Sequence, residues 1–133
     1  MAKTIQVSGT RKKAVARATL ITPGKGVVTV NGSPITQYSA HLATLKAMEP
    51  LTIAGDAAKK VDIKVRVHGG GVNGQAEAVR LVLGKALAEH NSGLREDFLD
   101  YDRTLLVADV RLKEPRKPNT HGKARSKRQK SYR

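Results

Sequence analysis

The sequence "VDIKVRVHGGGVNGQAEAVRLVLGKALAEH", residues 61–90, is the most informative stretch of the chain about its fold. Its first eight residues alternate between Val or Ile and a charged or polar side chain, which predicts a half-buried strand. Three glycines follow. Residues 73–90 are rich in Ala, Leu, Val and Glu, and they predict the best-defined helix of the chain before Asn, Ser and Gly end it. The stretch therefore predicts a strand, a glycine loop and a helix, in that order.

Two nucleotide-binding loops share this glycine spacing, and the neighbouring residues exclude both. A dinucleotide fold places Gly69, Gly71 and Gly74 after a strand buried on both faces, with an acid at the end of the next strand. Here the strand has a charged face, and the acids near 89–97 fall in helical sequence. A P-loop needs Lys and then Ser or Thr after its last glycine, where this chain has Gln75 and Ala76. We therefore expect no nucleotide cofactor.

The glycine loop still has the makings of a phosphate site. Gly69, Gly70 and Gly71 allow positive φ angles and a close approach of the backbone to another group. We expect Asn73 to cap the following helix, whose free N–H groups and dipole would attract an anion. The alternative is a tight strand-to-helix connection that contacts no ligand. With basic segments elsewhere in the chain, we favour a phosphate of a nucleic acid.

The remaining elements are predicted from residue propensity and from turn residues. Residues 4–9 and 14–22 favour strands, and the turn "PGKG" at 23–26 leads into a further strand at 27–30, paired with the one before it. Proline signals predict that Pro34 opens a short helix and that a second helix, 39–48, stops before Pro50. We also predict a short helix near 94–101 and an extended stretch over 105–112.

The charge of the chain is concentrated at its two ends. Lys and Arg number 25 against 11 Asp and Glu, a formal charge of +14. Residues 1–25 contain six basic residues and no acid, residues 26–110 have a net charge of −1, and residues 111–133 have a net charge of +9. Such segregation favours a polyanionic partner, because clustered cations displace the counterions condensed on it. We predict a body over residues 1–110 and an extended basic arm over residues 111–133.

The rest of the composition argues against catalysis and against membranes. The chain has no Cys, its four His have no metal-binding spacing, and no catalytic constellation stands out. No apolar run could span a bilayer, and the N-terminus lacks a secretory signal, which favours a cytoplasmic protein. The strands offer no aromatic side chains for base stacking. We expect Tyr38, Phe98 and Tyr101 to pack in the body and Tyr132 to stack on a base or ribose.

Four stretches resemble one family in their order and spacing. They are "SGTRKKAVARA" (8–18), "VNGSPITQY" (30–38), "VHGGGVNGQAEAVRLVLGKAL" (67–87) and "KARSKRQKSYR" (123–133). Together they resemble the universal family of small-subunit ribosomal protein S9 over essentially the whole chain. The ending "QKSYR" and the segment "RKPNTHGKARSKR" are more similar to the archaeal and eukaryotic branch. The alternative from composition is a general nucleic-acid-binding or DNA-compacting protein.

The resemblance implies a fold, a location and partners. The fold is an α+β domain of the ribosomal S5 second-domain-like class, a mixed sheet with helices on one face and a left-handed β-α-β crossover. The location is the head of the small subunit, where the partners are ribosomal RNA, neighbouring proteins and, at the tip of the arm, the anticodon stem-loop of the P-site tRNA. No cofactor, metal, membrane or small-molecule substrate is implied. The implied rRNA-binding residues are Arg11, Lys12, Lys13, Arg17, Gly69, Gly70, Gly71, Asn73, Gly74, Gln75, Arg116, Lys117, Lys123, Arg125, Lys127 and Arg128. The implied tRNA-binding residues are Lys130, Ser131, Tyr132 and Arg133.

Overall fold

A five-stranded mixed sheet organises the computed structural model, which describes residues 2–125 and 131–133. The strands lie in the order β1-β2-β5-β3-β4, with β1–β2 and β2–β5 antiparallel and β3–β5 parallel. Three helices complete the body, so the prediction of an α+β fold with a mixed sheet is confirmed. The strands are β1 (Lys3–Arg11), β2 (Ala14–Thr22), β3 (Val28–Val30), β4 (Ser33–Pro34) and β5 (Asp62–His68). The helices are α1 (His41–Ala54), α2 (Val72–His90) and α3 (Leu94–Tyr101), and short 3-10 turns cover Ile35–Gln37, Gly55–Lys60 and Arg103–Leu105.

One face of the sheet forms the core, as the alternation of the sequence predicts. In β2 and β5 the small or branched apolar residues on this face are almost completely buried, whereas the residues between them are half-buried or exposed. Helix α2 packs across β1, β2 and β5, and α1 packs against α2. The approach of α2 to β1 is close enough that a Cβ on Gly9 would lie 2.8 Å from a methyl carbon of Leu81. The opposite face of these strands carries the polar and charged residues.

The predicted pairing of residues 27–30 with β2 is wrong, because β5 lies between β2 and β3. The turn after β2 crosses the start of β5 instead of folding back on β2. The Asp62 carboxylate accepts hydrogen bonds from the backbone N–H groups of Lys25 and Val27, and Gly24 N–H donates to the Lys60 carbonyl. These contacts hold β3 beside β5. A local turn signal cannot reveal a strand that arrives 30 residues later in the chain.

The helix predicted to stop before Pro50 continues to Ala54, so this boundary is also wrong. Proline removes one helical hydrogen bond and normally ends or kinks a helix. Here the ring of Pro50 is fully buried in the body, and its burial offsets that penalty. Gly55, with φ of 54°, then ends the helix. Tertiary packing overrides the local signal at this position.

The extended stretch predicted over residues 105–112 is wrong at its start. Leu105 belongs to a 3-10 turn and is fully buried, and its carbonyl oxygen lies against α2, 2.5 Å from where a Cβ on Gly84 would be. Residues 108–125 form neither helix nor strand, and Val110 is 89% exposed. Leu105 therefore anchors the chain to the body, and residues 110–113 are exposed.

The arm is not fully extended over the residues that the structure describes. The Arg125 guanidinium lies 2.5 Å from the Glu114 carboxylate, and Lys117 N–H donates to the Lys123 carbonyl at 2.8 Å. These contacts close a loop over residues 114–125. The single acid of the arm thus pairs with one of its own cations, and the extended arm over residues 111–133 stays a prediction.

The aromatic residues of the body differ in burial. Phe98 is completely buried and Tyr38 is half-buried against the core, as predicted. Tyr101 is 60% exposed, so the prediction that it packs in the body is wrong. Its position at the end of α3 leaves the ring at the rim of a polar cavity rather than under the helix.

Candidate nucleic-acid interface

Three segments that the sequence singled out separately line one groove of about 900 Å³. They are the β1–β2 turn, the glycine loop with the start of α2, and the base of the arm. The groove is open and its charged lining is basic. Its lining residues are Arg11, Lys12, Lys13, Gly70, Gly71, Val72, Asn73, Gly74, Arg111, Leu112 and Lys113. Arg111 and Lys113 were missed as site residues, although their position in the basic terminal segment could have identified them.

The first two glycines of the loop approach the protein's own backbone. Gly69 and Gly70 have φ angles of 76° and 66°, in the region that favours glycine. A Cβ on Gly69 would lie 2.6 Å from the Lys13 carbonyl oxygen, and one on Gly70 would lie 3.0 Å from the Ala14 nitrogen. The close approach predicted for these two residues is therefore to the β1–β2 turn. This supports the tight-connection alternative for Gly69 and Gly70.

Gly71 differs from its neighbours. Its φ of −115° is extended backbone, so the positive φ predicted for it is wrong, and a Cβ there would meet no atom within 4 Å. Gly71 is the N-cap of α2, and no side chain caps the helix. Asn73, the predicted cap, lies inside the first turn, so that prediction is wrong. The N–H groups of this first turn have no partner in the helix and open on the groove, as a bound anion would require.

The half-buried side chain of Gln75 stabilises the glycine loop through hydrogen bonds. Its side-chain N–H donates to the Gly69 carbonyl at 3.0 Å, and its carbonyl oxygen accepts from the Tyr38 hydroxyl at 3.2 Å. Burial raises the pKa of Tyr38, which keeps this hydroxyl a donor. The amide thereby fixes the loop that ends at the groove. Both polar atoms of its side chain are occupied in the structure.

Arg11 is held by carboxylates of the body. Its guanidinium pairs with Glu77, and one η nitrogen is buried 3.4 Å from Asp109 without a hydrogen bond. Burial raises the pKa of Glu77, but hydrogen bonds from Lys46 and Arg11 outweigh it and the pKa is lowered. Both carboxylates therefore stay ionised at neutral pH. Arg11 ties β1 to α2 and to the segment before the arm, which leaves it less available to a phosphate than its neighbours.

Lys12 and Lys13 form the exposed turn between β1 and β2. Lys12 has φ of 55°, a conformation that Gly, Asn or Asp adopt most readily in such turns. A Lys at this position places a cation at the edge of the groove at some cost in backbone strain. The two side chains make no ion pair among the described residues.

The base of the arm is tied to the body through Asp109. Hydrogen bonds from the Arg111 side chain and backbone hold the pKa of Asp109 well below its usual range, and the charge of Arg11 adds to this effect. The Arg111 guanidinium is 79% exposed and lies 2.6 Å from the Asp109 carboxylate. The Asp109 side chain is only 17% exposed, so the pair joins a mostly covered carboxylate to an exposed guanidinium.

The remaining predicted cations of the arm are exposed where the structure describes them. These are Arg116, Lys117, Lys123 and Arg125. The predictions for Lys127, Arg128 and Lys130 lie outside the described residues. Ser131, Tyr132 and Arg133 are exposed, and the Tyr132 ring is 89% exposed. Arg17 lies away from the groove, on the open face of the sheet.

A second cavity, of about 460 Å³, is lined by charges that pair with one another. At its centre the buried Arg80 donates to Glu49 at 2.6 Å, to Thr104 at 2.9 Å and to Asp102 at 3.0 Å. Burial lowers the pKa of Arg80, but these carboxylates outweigh it and the pKa is raised. The network connects α1, α2 and the Arg103–Leu105 turn. It stabilises the body and leaves no cation of the network free for a ligand.

No group of three or more His, Asp or Glu side chains in the described part of the chain could hold a metal ion. Within residues 2–125 and 131–133, no helix is long and apolar enough to cross a membrane. The structure is that of a small basic α+β protein with an open groove lined by cations.

The chain is similar to small ribosomal subunit proteins of archaea. It is 50% identical over 128 residues to small ribosomal subunit protein uS9 of Thermoplasma acidophilum, with 95% of this chain and 98% of the relative covered. The protein of the same name from Thermoplasma volcanium is 46% identical over 95% of this chain and 96% of the relative. That from Picrophilus torridus is 49% identical over 94% of each chain.

The family model described as "Ribosomal protein S9/S16" matches residues 9–133, and the chain belongs to this family. It is therefore a structural protein of the small ribosomal subunit, located in the ribosome in the cytoplasm, and not an enzyme. The resemblance seen in the four sequence stretches is confirmed. The archaeal relatives agree with the archaeal and eukaryotic type of ending.

Proposed function

We propose that this protein holds small-subunit rRNA in the head of the subunit through the groove and the arm. We further propose that the tip of the arm contacts the anticodon stem-loop of the P-site tRNA. The observation that carries the proposal is the convergence of the β1–β2 turn, the glycine loop and the arm base on one basic groove. Neighbouring head proteins are the other proposed partners. The proposed fold type is the ribosomal S5 second-domain-like class, with a left-handed crossover from β3 through α1 to β5.

The groove offers two kinds of group that can bind a phosphate. The unpartnered N–H groups at the start of α2 are rigid, and the helix dipole adds a partial positive charge. Lys12, Lys13 and Lys113 supply mobile cations around them. Such contacts position RNA without reading its sequence. This suits a protein that must hold one folded RNA by its backbone and shape.

The arm, proposed to start at residue 111, adds contacts that form as it binds. The Glu114–Arg125 pair is exposed, and exposed ion pairs are weak, so phosphates can replace the carboxylate and open the loop over 114–125. Opened, residues 114–133 could reach roughly 60–70 Å. At its end the Arg133 guanidinium can hold a phosphate through two parallel hydrogen bonds, and Tyr132 can stack on a base or ribose.

Gly71→Asp and Gly71→Asn together test the phosphate site. Both residues are favourable N-caps, and the position has open space, so both variants should fold with a free energy of unfolding within about 1 kcal/mol of the wild type. Only Asp places a negative charge against the proposed phosphate. We expect Gly71→Asp to weaken binding to purified small-subunit rRNA roughly tenfold or more in a filter-binding assay, since one charge-assisted contact is worth about 1.5–3 kcal/mol.

The Asn variant is the matched control, because it differs from Asp only in charge. We expect it to bind more weakly than the wild type, because its side-chain oxygen also accepts from the first-turn N–H groups, but several-fold more tightly than Gly71→Asp, because it adds no charge. Equal binding by the Asp and Asn variants would contradict the proposal that a phosphate binds at the start of α2. A wild-type protein that bound duplex DNA as tightly as rRNA would instead support the DNA-compacting alternative.

Deleting residues 128–133 tests the proposed tRNA contact. We expect small subunits that contain the shortened protein to assemble normally but to bind P-site tRNA several-fold more weakly, because Lys130, Tyr132 and Arg133 are removed. Equilibrium binding of labelled tRNA to purified, programmed subunits measures the change. A variant in which these six residues are replaced by Gly and Ser controls for length. Unchanged tRNA affinity in the deletion would contradict the role of the tip.

A further inference from the structure

The open face of the sheet carries three cations brought together by strand register. Arg17 of β2 is the direct partner of Arg66 of β5, and the next pair along these strands joins Thr19 to Lys64. Directly opposed residues of antiparallel strands have Cα atoms about 4.5–5.5 Å apart. Lys64 lies two residues from Arg66 on the same face, about 7 Å along the strand. All three side chains are exposed.

These cations make no ion pair with any acid in the described part of the chain. The nearest acid on the same face is Asp62, at the start of β5. Its carboxylate accepts two backbone hydrogen bonds, from Val27 and Lys25, and these bonds lower the pKa of Asp62. Like charges directly opposite one another destabilise a sheet. A sheet that keeps Arg17 opposite Arg66 therefore carries a cost that a bound anion would remove.

The surroundings of the cations fit the backbone of a nucleic acid. A depression of about 690 Å³ is lined by all three, by the polar residues Gln6, Ser8 and Thr19, and by the apolar residues Val7, Ala18 and Ile21. Amide and hydroxyl groups of this kind donate to phosphate and sugar oxygens. Among the described strands the face has no aromatic ring for base stacking. It also has charged residues at its centre, where a protein–protein interface is depleted of them.

The depression and the groove are both adjacent to β2. Lys13, which lines the groove, lies just before β2, and Arg17, which lines the depression, follows four residues later, about 13 Å along an extended chain. One RNA segment, or two segments that meet, can therefore contact the start of α2 and the open face together. Arg17 was identified from the sequence, whereas Lys64 and Arg66 were not.

We infer that the open face of the sheet is a second RNA-docking surface, on which Arg17, Lys64 and Arg66 contact phosphates of the small-subunit rRNA. The inference rests on the proposed function, because it names where a further part of the same RNA docks. It extends the bound backbone from the groove across β2 and β5. It also gives the unfavourable Arg17–Arg66 pair a role.

The double variant Lys64→Gln/Arg66→Gln tests this surface in the full-length protein. We expect the log–log slope of rRNA affinity against salt concentration to fall by about 1.4–1.8, that is 0.7–0.9 for each phosphate that the variant no longer neutralises. Filter binding to purified small-subunit rRNA at several salt concentrations measures the slope. The melting temperature of the free variant should be unchanged or higher, since a like-charge pair is removed. Hydroxyl-radical footprinting should show one fewer patch of protected riboses and keep the patch at the groove.

Lys60→Gln/Arg95→Gln is the matched control, with the same reduction of charge at two exposed positions on other surfaces. We expect its slope to stay within about 0.5 of the wild type. Equal slopes for the two double variants would overturn the inference, as would a Lys64→Gln/Arg66→Gln protein that binds rRNA normally but fails to join other head proteins. A wild type that binds rRNA no better than an unrelated RNA of equal length would instead overturn the proposed function itself.

Discussion

A protein truncated after Val110 is expected to lose most of the salt dependence of its rRNA affinity. The truncation removes ten basic residues and one acid. If six to ten of the cations contact phosphates, the slope of log affinity against log salt falls by about 4–9. Such contacts account for a roughly 10³–10⁵-fold change in affinity between 50 and 200 mM salt, because each one releases counterions from the RNA. Filter binding across that range measures the difference.

We expect the body to remain folded after this truncation. Leu105 and Asp109 remain, so the anchor against α2 and the contact with Arg11 are both retained. We expect the melting temperature to change by no more than a few degrees, since the removed segment contributes no buried apolar side chain among the described residues.

Charge can be separated from length by a second protein. In it the arm keeps its 23 residues but has every Lys and Arg replaced by Gln. We expect it to behave like the truncated protein. If it kept the steep salt dependence of the wild type, the cations of the arm would not be the groups that hold the RNA. If both proteins kept the steep salt dependence, the body alone would be sufficient to account for it.

Gly69→Ala is expected to have the largest effect on stability of any single substitution in the glycine loop. An L-residue at φ of 76° costs about 1–2 kcal/mol, and its Cβ would lie 2.6 Å from the Lys13 carbonyl oxygen, which has to move. Overpacking of that kind costs about 1–3 kcal/mol. We therefore expect the free energy of unfolding to fall by about 2–5 kcal/mol and the melting temperature by at least roughly 10 °C. Thermal or urea unfolding measures both.

Gly32→Ala provides the matched control. Gly32 has φ of 86°, but a Cβ there would meet no atom within 4 Å, so only the backbone penalty applies. We expect a decrease of about 1–2 kcal/mol in the free energy of unfolding. A Gly69→Ala protein no less stable than Gly32→Ala would indicate that the β1–β2 turn yields freely, and that Gly69 is not needed for the packing of the loop.

These two loop glycines, Gly69 and Gly70, differ from Gly71 in role. Gly69 and Gly70 allow the loop to pack on the β1–β2 turn, whereas Gly71 faces open space at the groove. The two interpretations of the loop that the sequence left open are therefore not exclusive. The tight connection accounts for the first two glycines, and the proposed phosphate site needs the third.

Features of the protein that depend on short-range patterns could be predicted from the amino-acid sequence. The alternation over 61–68 predicted both faces of β5, and the composition of 73–90 predicted α2, because burial of one face imposes a period on neighbouring residues. The separation of charge along the chain predicted a polyanion partner without any structure. The four family stretches then predicted the identity, which the relatives confirmed.

Which segments contact one another is known only from the folded molecule. It placed β5 between β2 and β3, carried α1 through Pro50, and paired Arg11 with Glu77 and Asp109. It also set Arg17 opposite Arg66, a register that no local pattern contains. Each of these outcomes depends on contacts between residues far apart in the chain. Their free energy comes from packing and from ion pairs across the fold, and that part of the energy is not visible in any short window of the sequence.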